Sequence, residues 1–196
     1  MRETLKGHSD YVSDANVSHN GEFIVSGSND KSVILWDANN GEELRTFTGH
    51  TGGVYGCCFS RDSQFVVSAS DDKSLRVWDT NTSQLIQELT GHTSYVKCCD
   101  MSCDDVILSG SNDKNLKTWN LDGTCLRTFQ GHSASVQSCQ FSNDGKFFAS
   151  GSTDNTVRIW DKNKSDAIKV LSEHSDDVTL CNRFSTSEQL VQLDMF

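Results

Sequence analysis

Residues 131–161 read GHSASVQSCQFSNDGKFFASGSTDNTVRIWD, and a stretch of this kind occurs four times in the 196-residue chain. Each copy opens with Gly-His and closes with Trp followed by Asp or Asn. The four histidines are His8, His50, His92 and His132, and the four tryptophans are Trp36, Trp78, Trp119 and Trp160. A unit of about 40 residues cannot bury its own apolar face, so several copies must stack and share a core. We therefore predict a single domain of side-by-side repeats.

The fourth repeat shows the local structure most clearly. Short apolar or alternating runs cover residues 136–141, 147–150, 156–160 and 167–171, and turn sequences such as Asn143-Asp144-Gly145 separate them. Runs of this length, without helical periodicity, predict an all-β fold of four-stranded antiparallel sheets. The alternation in the third run places Arg158 on the outward face, with Arg76 at the same position of the second repeat.

Gly-His and Trp-Asp in a repeat of this length resemble the WD-repeat family of β-propellers. The resemblance implies four-stranded blades around a central axis. It places the repeats at approximately residues 7–48, 49–90, 91–130 and 131–172. It also implies that residues 2–5 correspond to the outer strand of a preceding blade.

The end of the chain contains a partial fifth repeat over residues 173–196. It opens with Glu173-His174 in place of Gly-His, and it lacks the third strand with its tryptophan. Propellers have roughly four to eight blades, so we expect an incomplete or open ring with exposed apolar flanks and unpaired edges. Such a chain is expected to self-associate or to need a partner chain. The alternative is a partial form of a longer propeller.

Each full repeat carries His, Ser, Asp and Trp at nearly constant spacing, and we call each set a tetrad. The tetrads are His8, Ser26, Asp30 and Trp36; His50, Ser68, Asp72 and Trp78; His92, Ser109, Asp113 and Trp119; and His132, Ser150, Asp154 and Trp160. The resemblance implies a buried hydrogen-bond chain within each blade, in which a serine hydroxyl satisfies the indole N–H. The alternative is a Ser-His-Asp hydrolase. Four copies of one site and the lack of a G-x-S-x-G elbow favour a chain that is not an enzyme.

The eight cysteines predict neither a disulfide framework nor a zinc site. Cys57, Cys99, Cys139 and Cys181 each follow the repeat histidine by seven residues, which indicates one buried structural position per blade. Equivalent positions in successive blades are not expected to meet at bonding distance. No paired C-x-x-C motif appears, so we expect no metal and no cofactor.

The net charge is −10, from 17 Lys and Arg against 27 Asp and Glu. This balance argues against general nucleic-acid binding, which needs a basic face. No run is long and apolar enough to cross a bilayer, and the first residues lack the apolar core of a signal peptide. We expect no membrane insertion and an intracellular location, cytoplasmic or nuclear.

The resemblance also implies a partner-binding face at one end of the propeller. Its side chains lie three and five residues after the repeat histidine and just before the repeat aspartate. In this chain they are Tyr11, Ser13, Asn29, Tyr55, Asp71, Tyr95, Lys97, Asn112, Gln137 and Thr153, together with Gly53 and Ser135. All three tyrosines of the chain belong to this set, and aromatic side chains are frequent at binding hot spots.

We therefore expect a non-catalytic scaffold or adaptor that presents a propeller face to a peptide or protein within a multi-protein complex. One alternative is a substrate-recognition subunit of a ubiquitin-ligase or chromatin complex. A less favoured alternative is the Ser-His-Asp hydrolase.

Overall fold

The computed structural model describes residues 4–179. That part of the chain forms sixteen strands and no helix, arranged as four antiparallel sheets of four consecutive strands, which we call blades 1–4. Blade 1 has β1 (Val12–Val17), β2 (Phe23–Ser28), β3 (Val33–Asp37) and β4 (Glu43–Phe47); blade 2 has β5 (Val54–Phe59), β6 (Phe65–Ser70), β7 (Ser74–Asp79) and β8 (Leu85–Thr90); blade 3 has β9 (Val96–Met101), β10 (Ile107–Ser111), β11 (Leu116–Trp119) and β12 (Cys125–Phe129); blade 4 has β13 (Val136–Phe141), β14 (Phe147–Ser152), β15 (Val157–Asp161) and β16 (Ala167–Leu171). The predicted all-β fold of four-stranded blades is confirmed.

Apolar side chains are buried mainly between neighbouring blades. Leu35 and Phe47 of blade 1 pack with Val54 and Phe59 of blade 2. The Phe47 ring lies 5.8 Å from the Trp78 ring, and the equivalent contact between blades 3 and 4 measures 5.7 Å. Full burial of a large apolar side chain contributes about 1.5–3 kcal/mol. Each blade therefore depends on its neighbour for stability.

The first strand of each blade lies beside the first strand of the next, so β1, β5, β9 and β13 line the centre. Gly56 permits a close approach between β5 and β9. A Cβ at this position would lie 3.1 Å from both the Cα of Cys98 and the backbone nitrogen of Cys99. The inner strands are thus packed backbone against backbone at this point.

Within residues 4–179, no strand of blade 1 pairs with a strand of blade 4. Val12 is 54% exposed, whereas its equivalent Val54 is fully buried against the preceding blade. The prediction of an incomplete or open ring is therefore confirmed. The part of the fifth repeat beyond residue 179 lies outside the described residues, as do the first two residues of the predicted strand 2–5. Thr4 and Leu5 form no strand.

Candidate functional site

The four tetrad residues lie within hydrogen-bond distance of one another in every blade. The indole N–H donates to the serine Oγ at 2.8–2.9 Å. The histidine Nε2 lies 2.7–2.8 Å from the same Oγ. The histidine Nδ1 lies 2.7–2.9 Å from the aspartate Oδ2. Because the serine oxygen already accepts the indole N–H, its own proton is assigned to Nε2, and the Nδ1–H is assigned to the carboxylate.

Each tetrad connects four segments of one blade. In blade 2, His50 precedes β5, Ser68 lies on β6, Asp72 lies in the turn after β6, and Trp78 lies on β7. The hydrogen bonds therefore connect the segment before the first strand of the blade to its second and third strands. A fully satisfied buried network of this kind favours one arrangement of the strands.

The tetrad carboxylates are saturated with donors. Asp72 Oδ2 accepts from His50 and from the Thr51 N–H at 3.0 Å, and Oδ1 accepts from the Ser74 N–H at 3.1 Å and the Ser74 hydroxyl at 2.6 Å. Burial alone would raise the pKa of Asp72, but these donors lower it well below its usual range. The carboxylate is therefore ionised at neutral pH.

In the third tetrad the pKa of the aspartate is also lowered, and in the fourth the pKa of the histidine is lowered. Burial acts to raise the pKa of Asp113, but hydrogen bonds from His92 and from the Thr93 and Asn115 N–H groups lower it to about 2. Burial lowers the pKa of His132, although Asp154 opposes this change. A neutral imidazole beside an ionised carboxylate agrees with the assigned hydrogen-bond directions.

The tetrad serines are buried. Ser68, Ser109 and Ser150 have no solvent exposure, and their oxygens already accept the indole N–H. A hydrolytic serine must reach a carbonyl carbon and transfer its proton to the histidine. In these three blades the serine has no exposed surface for such an approach, whereas Ser26 of blade 1 is 5% exposed and lines a groove together with His8 and Trp36.

The two arginines expected on the outward face lie beside the tetrads instead. The Arg76 side chain is 13% exposed, and its guanidinium carbon is 5.9 Å from the centre of the Trp78 ring. A Cβ at Gly49 would lie 2.3 Å from the Arg76 guanidinium, so glycine before the repeat histidine leaves the space that the arginine fills. A Cβ at Gly131 would likewise lie 2.4 Å from the Arg158 guanidinium. The prediction that both point outward was wrong.

The residues implied as the partner-binding face lie at the N-terminal ends of the inner strands and in the turns that carry the tetrad aspartates. We call this set the loop face. Tyr11 is 81% exposed and Tyr95 is 46% exposed. Tyr55 is half-buried, with the Lys97 ammonium 3.1 Å from the centre of its ring. Burial and the nearby Asp71 carboxylate raise the pKa of Tyr55.

Short polar contacts connect the other loop-face residues. The Ser13 hydroxyl donates to Asn29 Oδ1 at 3.2 Å. The Ser135 hydroxyl donates to Asn112 Oδ1 across the boundary between blades 3 and 4, and Gln137 Nε2 donates to Ser135 Oγ at 2.8 Å. The Thr153 N–H donates to the Ser135 carbonyl oxygen at 3.0 Å. The structure thus groups these residues into local clusters, whereas Tyr11 stands out from the surface.

The family model described as "WD domain, G-beta repeat" matches four segments, at residues 1–37, 41–79, 83–120 and 123–161. The chain belongs to the WD-repeat family. It is similar to the small ribosomal subunit protein RACK1 of Caenorhabditis elegans, with 48% identity over 44 residues, which are 22% of this chain and 14% of that protein. RACK1 of Dictyostelium discoideum is 48% identical over 42 residues, which are 21% of this chain and 13% of that protein. The matched segments thus span about one seventh of these relatives' length.

A cavity of about 320 Å³ lies at the centre of the WD-repeat blades, next to the loop face. The inner strands of all four blades line it, and Tyr55, Lys97 and Gln137 of the loop face contribute to its wall. Burial lowers the pKa of Lys97, while the Asp71 carboxylate opposes that change. The loop face therefore surrounds a polar opening.

Two aspartates with no counterpart in the tetrads connect neighbouring WD-repeat blades. Asp14 Oδ2 accepts the Cys57 N–H at 2.9 Å, and Asp100 Oδ2 accepts the Phe141 N–H at 2.7 Å. Burial raises the pKa of Asp14. Sequence reasoning missed both residues because they follow their repeat histidines by different intervals, six and eight residues, and so produce no periodic signal.

The inner-strand cysteines meet across blade boundaries at non-equivalent positions. A contact with Cys58 and burial raise the pKa of the Cys99 thiol well above its usual range. Burial and a contact with Cys98 do the same for Cys139. All cysteines of the described residues are free thiols. The expected position of Cys181 lies outside the described residues.

Between residues 4 and 179, no three His, Cys, Asp or Glu side chains come together as the ligands of a metal ion would. The same part of the chain has no helix that could cross a membrane.

Proposed function

We propose that this chain is a non-catalytic scaffold that holds a protein or peptide partner on its loop face. The observation that carries the proposal is the exposure of Tyr11 and Tyr95, at 81% and 46%. Both tyrosines occupy the same repeat position, three residues after His8 and His92. Exposed aromatic side chains bury a large area on binding at a small entropic cost, and they are enriched at hot spots.

The charges on the loop face support a partner with apolar anchors and an acidic group. Lys97 supplies a cation at the edge of the central cavity in a chain whose net charge is −10. The contact with the Tyr55 ring orients the Lys97 ammonium. The nearby Asp71 carboxylate would repel further negative charge on a partner. Complementary charge contributes mainly to the association rate and to the choice of partner. The acidic balance also argues against general nucleic-acid binding.

The tetrads take a structural role in this proposal. Their serines are buried and hydrogen-bonded to tryptophan, so they stabilise each blade and carry no chemistry.

A substrate-recognition subunit of a ubiquitin-ligase or chromatin complex is a finer form of the same proposal, since it would use the same face. We also propose an intracellular location, cytoplasmic or nuclear. The naming of the relatives as small ribosomal subunit proteins supports the intracellular part of this proposal and not the nuclear alternative.

The test is affinity capture from cell extract on the immobilised chain. The variant replaces Tyr11 and Tyr95 by Ala. The matched control replaces Ile86 and Leu126 by Ala, since these apolar side chains are 49% and 47% exposed on outer strands. We expect a partner that the parent and the control retain and that the tyrosine variant loses. A partner retained equally by all three, or lost only with the control, would overturn the proposal.

A further inference from the structure

A second cavity lies at the C-terminal ends of the inner strands, at the opposite end of the blades from the loop face. Its volume is about 280 Å³, and the buried side chains of Met101 and Phe141 form part of its wall. One exposed side chain from each blade surrounds it. We call these four residues the turn ring: His19, Arg61, Cys103 and Asn143.

Each turn-ring residue occupies the same position in the turn between the first and second strands of its blade. A buried serine precedes it, and the hydroxyl of that serine donates at 2.6–2.7 Å to the side chain of the residue that follows it. The serines are Ser18, Ser60, Ser102 and Ser142, and the acceptors are Asn20, Asp62, Asp104 and Asp144. The four turns therefore share one hydrogen bond, and this places four different side chains at equivalent positions around the cavity.

Contacts between the turns of blades 3 and 4 hold one side of the turn ring in place. A Cβ at Gly145 would lie 3.0 Å from the Cys103 Sγ, so the two turns approach closely. The Lys162 ammonium crosses the same boundary and donates to Asp104 Oδ2 at 2.6 Å. This ion pair also offsets the negative charge of Asp104 beside the cavity.

The wall of the cavity contains no Asp or Glu among the described residues, although the chain has 27 acidic residues. Asp62 follows Arg61 in sequence, but its carboxylate accepts the Ser60 hydroxyl at 2.7 Å and the Gln64 N–H at 3.0 Å within the turn. Between residues 4 and 179, the Arg61 guanidinium has no hydrogen-bond or ion-pair partner. The positive charge of Arg61 is therefore available to a ligand in the cavity.

The donors of the turn ring match a tetrahedral oxyanion. The Arg61 guanidinium is a planar fork of N–H donors that binds phosphate through two hydrogen bonds. The Asn143 amide also lacks a partner within the described part of the chain, and His19 adds an imidazole from blade 1. Blades 1, 2 and 4 thus contribute donor groups to one cavity. A phosphate group offers three acceptor oxygens to such an arrangement, whereas a carboxylate offers two in one plane.

We propose that the turn ring binds a phosphate group, which belongs either to a small molecule or to a phosphorylated side chain of a protein. An anionic membrane or a nucleic acid requires a broad surface of many Lys and Arg side chains. The turn ring has a single arginine in a chain of net charge −10. The cavity volume is also close to the lower limit of about 300 Å³ for small-molecule sites. This site goes beyond the scaffold role and lies away from the loop face, so either proposal can fail without the other.

The experiment is an NMR titration of the ¹⁵N-labelled full chain with inorganic phosphate and, separately, with a short peptide that contains one phosphoserine. We expect both probes to shift the amide signals of the turn ring, with a Kd on the order of 1 mM for inorganic phosphate. Similar affinities would identify a small molecule as the source of the phosphate. A tighter complex with the peptide would identify a protein, and both results support the site.

Arg61→Gln should weaken the binding of both probes by about ten-fold or more, because a hydrogen bond to a charged group is lost. The matched control is Lys164→Gln, which removes one positive charge from the same end of the blades. The Lys164 side chain is 71% exposed and lies outside the wall of the cavity. This control should bind within a factor of about two of the parent. Arg61 is exposed, so its replacement should leave the fold intact, and the amide spectrum of the variant checks this.

Several results would overturn the proposal. They are the absence of shifts with either probe at about ten times the expected Kd, equal binding by Arg61→Gln and the parent, and equal binding of the unphosphorylated peptide. Capture of the chain by phosphoinositide vesicles without binding of either probe would favour a membrane and would also overturn it. Tyr95→Ala, on the loop face, should bind phosphate like the parent. A loss of phosphate binding in this variant would contradict the assignment of two separate sites.

Discussion

The ammonium of Lys97 lies 3.1 Å from the centre of the Tyr55 ring. Tyr55 is on β5 and Lys97 is on β9, so this contact joins two adjacent blades at the loop face. A cation over an aromatic ring contributes about 0.5–1 kcal/mol at an exposed site and more where water is excluded. The cation of the proposed binding face is thus held in place by the fold before a partner arrives.

Lys97→Glu should slow association with an acidic partner and reduce the salt dependence of its association rate. The substitution replaces the ammonium by a carboxylate near Asp71, and charge complementarity acts mainly on the encounter step. Stopped-flow or surface-plasmon measurements at two salt concentrations provide the rates. Lys97→Arg retains the charge and should associate at nearly the parent rate. An unchanged rate in Lys97→Glu would show that the partner does not sense this charge.

Ser68→Ala should lower the free energy of unfolding. It removes the acceptor of the Trp78 N–H and the hydroxyl partner of His50, and each unsatisfied buried group costs about 1–3 kcal/mol. Urea denaturation followed by tryptophan fluorescence measures the change. Ser9→Ala, at an exposed serine, is the matched control and should change stability by less than about 0.5 kcal/mol.

The tetrad serines Ser68, Ser109 and Ser150 should not react with a fluorophosphonate probe, because they have no solvent exposure and their oxygens accept the tryptophan N–H. Labelling of the parent chain that disappears in Ser68→Ala, with stability unchanged, would contradict the structural role of the tetrads. This experiment separates the scaffold from the hydrolase alternative without knowledge of a substrate.

Stability should fall as the pH is lowered from about 4 to about 2, and Asp113 should contribute to that fall. The pKa of Asp113 is lowered in the folded chain from 3.8 to about 2. A carboxyl group whose folded pKa is depressed stabilises the fold above its unfolded pKa and loses that contribution as pH falls through the folded pKa. Asp113→Asn should therefore be less stable than the parent at pH 6, with a smaller difference at pH 2. Urea titrations at the two pH values test this, and an equal difference at both would contradict it.

Gly56→Val should destabilise the contact between blades 2 and 3. Any Cβ at this position meets the backbone of Cys98 and Cys99 at 3.1 Å, and a strand backbone cannot move away as a flexible side chain can. Overpacking of this kind typically costs about 1–3 kcal/mol. Thermal melting of the variant beside a Ser9→Ala control measures the loss. A melting temperature equal to that of the parent would show that the inner strands separate easily at this point.

Periodic features of the sequence predicted most of the fold. The positions of the Gly-His and Trp-Asp motifs define four blades, and the spacing of His50, Ser68, Asp72 and Trp78 brings together side chains that are far apart in sequence. The alternating pattern failed at Arg76, because the glycine before the repeat histidine leaves a space that a local pattern does not reveal. Contacts between blades were predicted least well.

The Lys97–Tyr55 contact, the hydrogen bond of Asp14 to the Cys57 N–H and the cysteine contacts all join different repeats. They depend on the angle and distance between blades, which no single repeat encodes. The partner-binding role of the loop face stays a prediction, and the exposure of Tyr11 and Tyr95 supports it.

The most direct test of the scaffold proposal is a calorimetric titration of the captured partner against Tyr95→Ala and against the outer-strand control Ile86→Ala, after both variants are shown to be folded. Loss of a hot-spot tyrosine should weaken binding by about 2 kcal/mol or more, a factor of about 30 in Kd. The control should bind within a factor of about two of the parent. Parent-like binding by Tyr95→Ala together with a loss in Ile86→Ala would place the partner on the outer strands and contradict the assignment of the loop face.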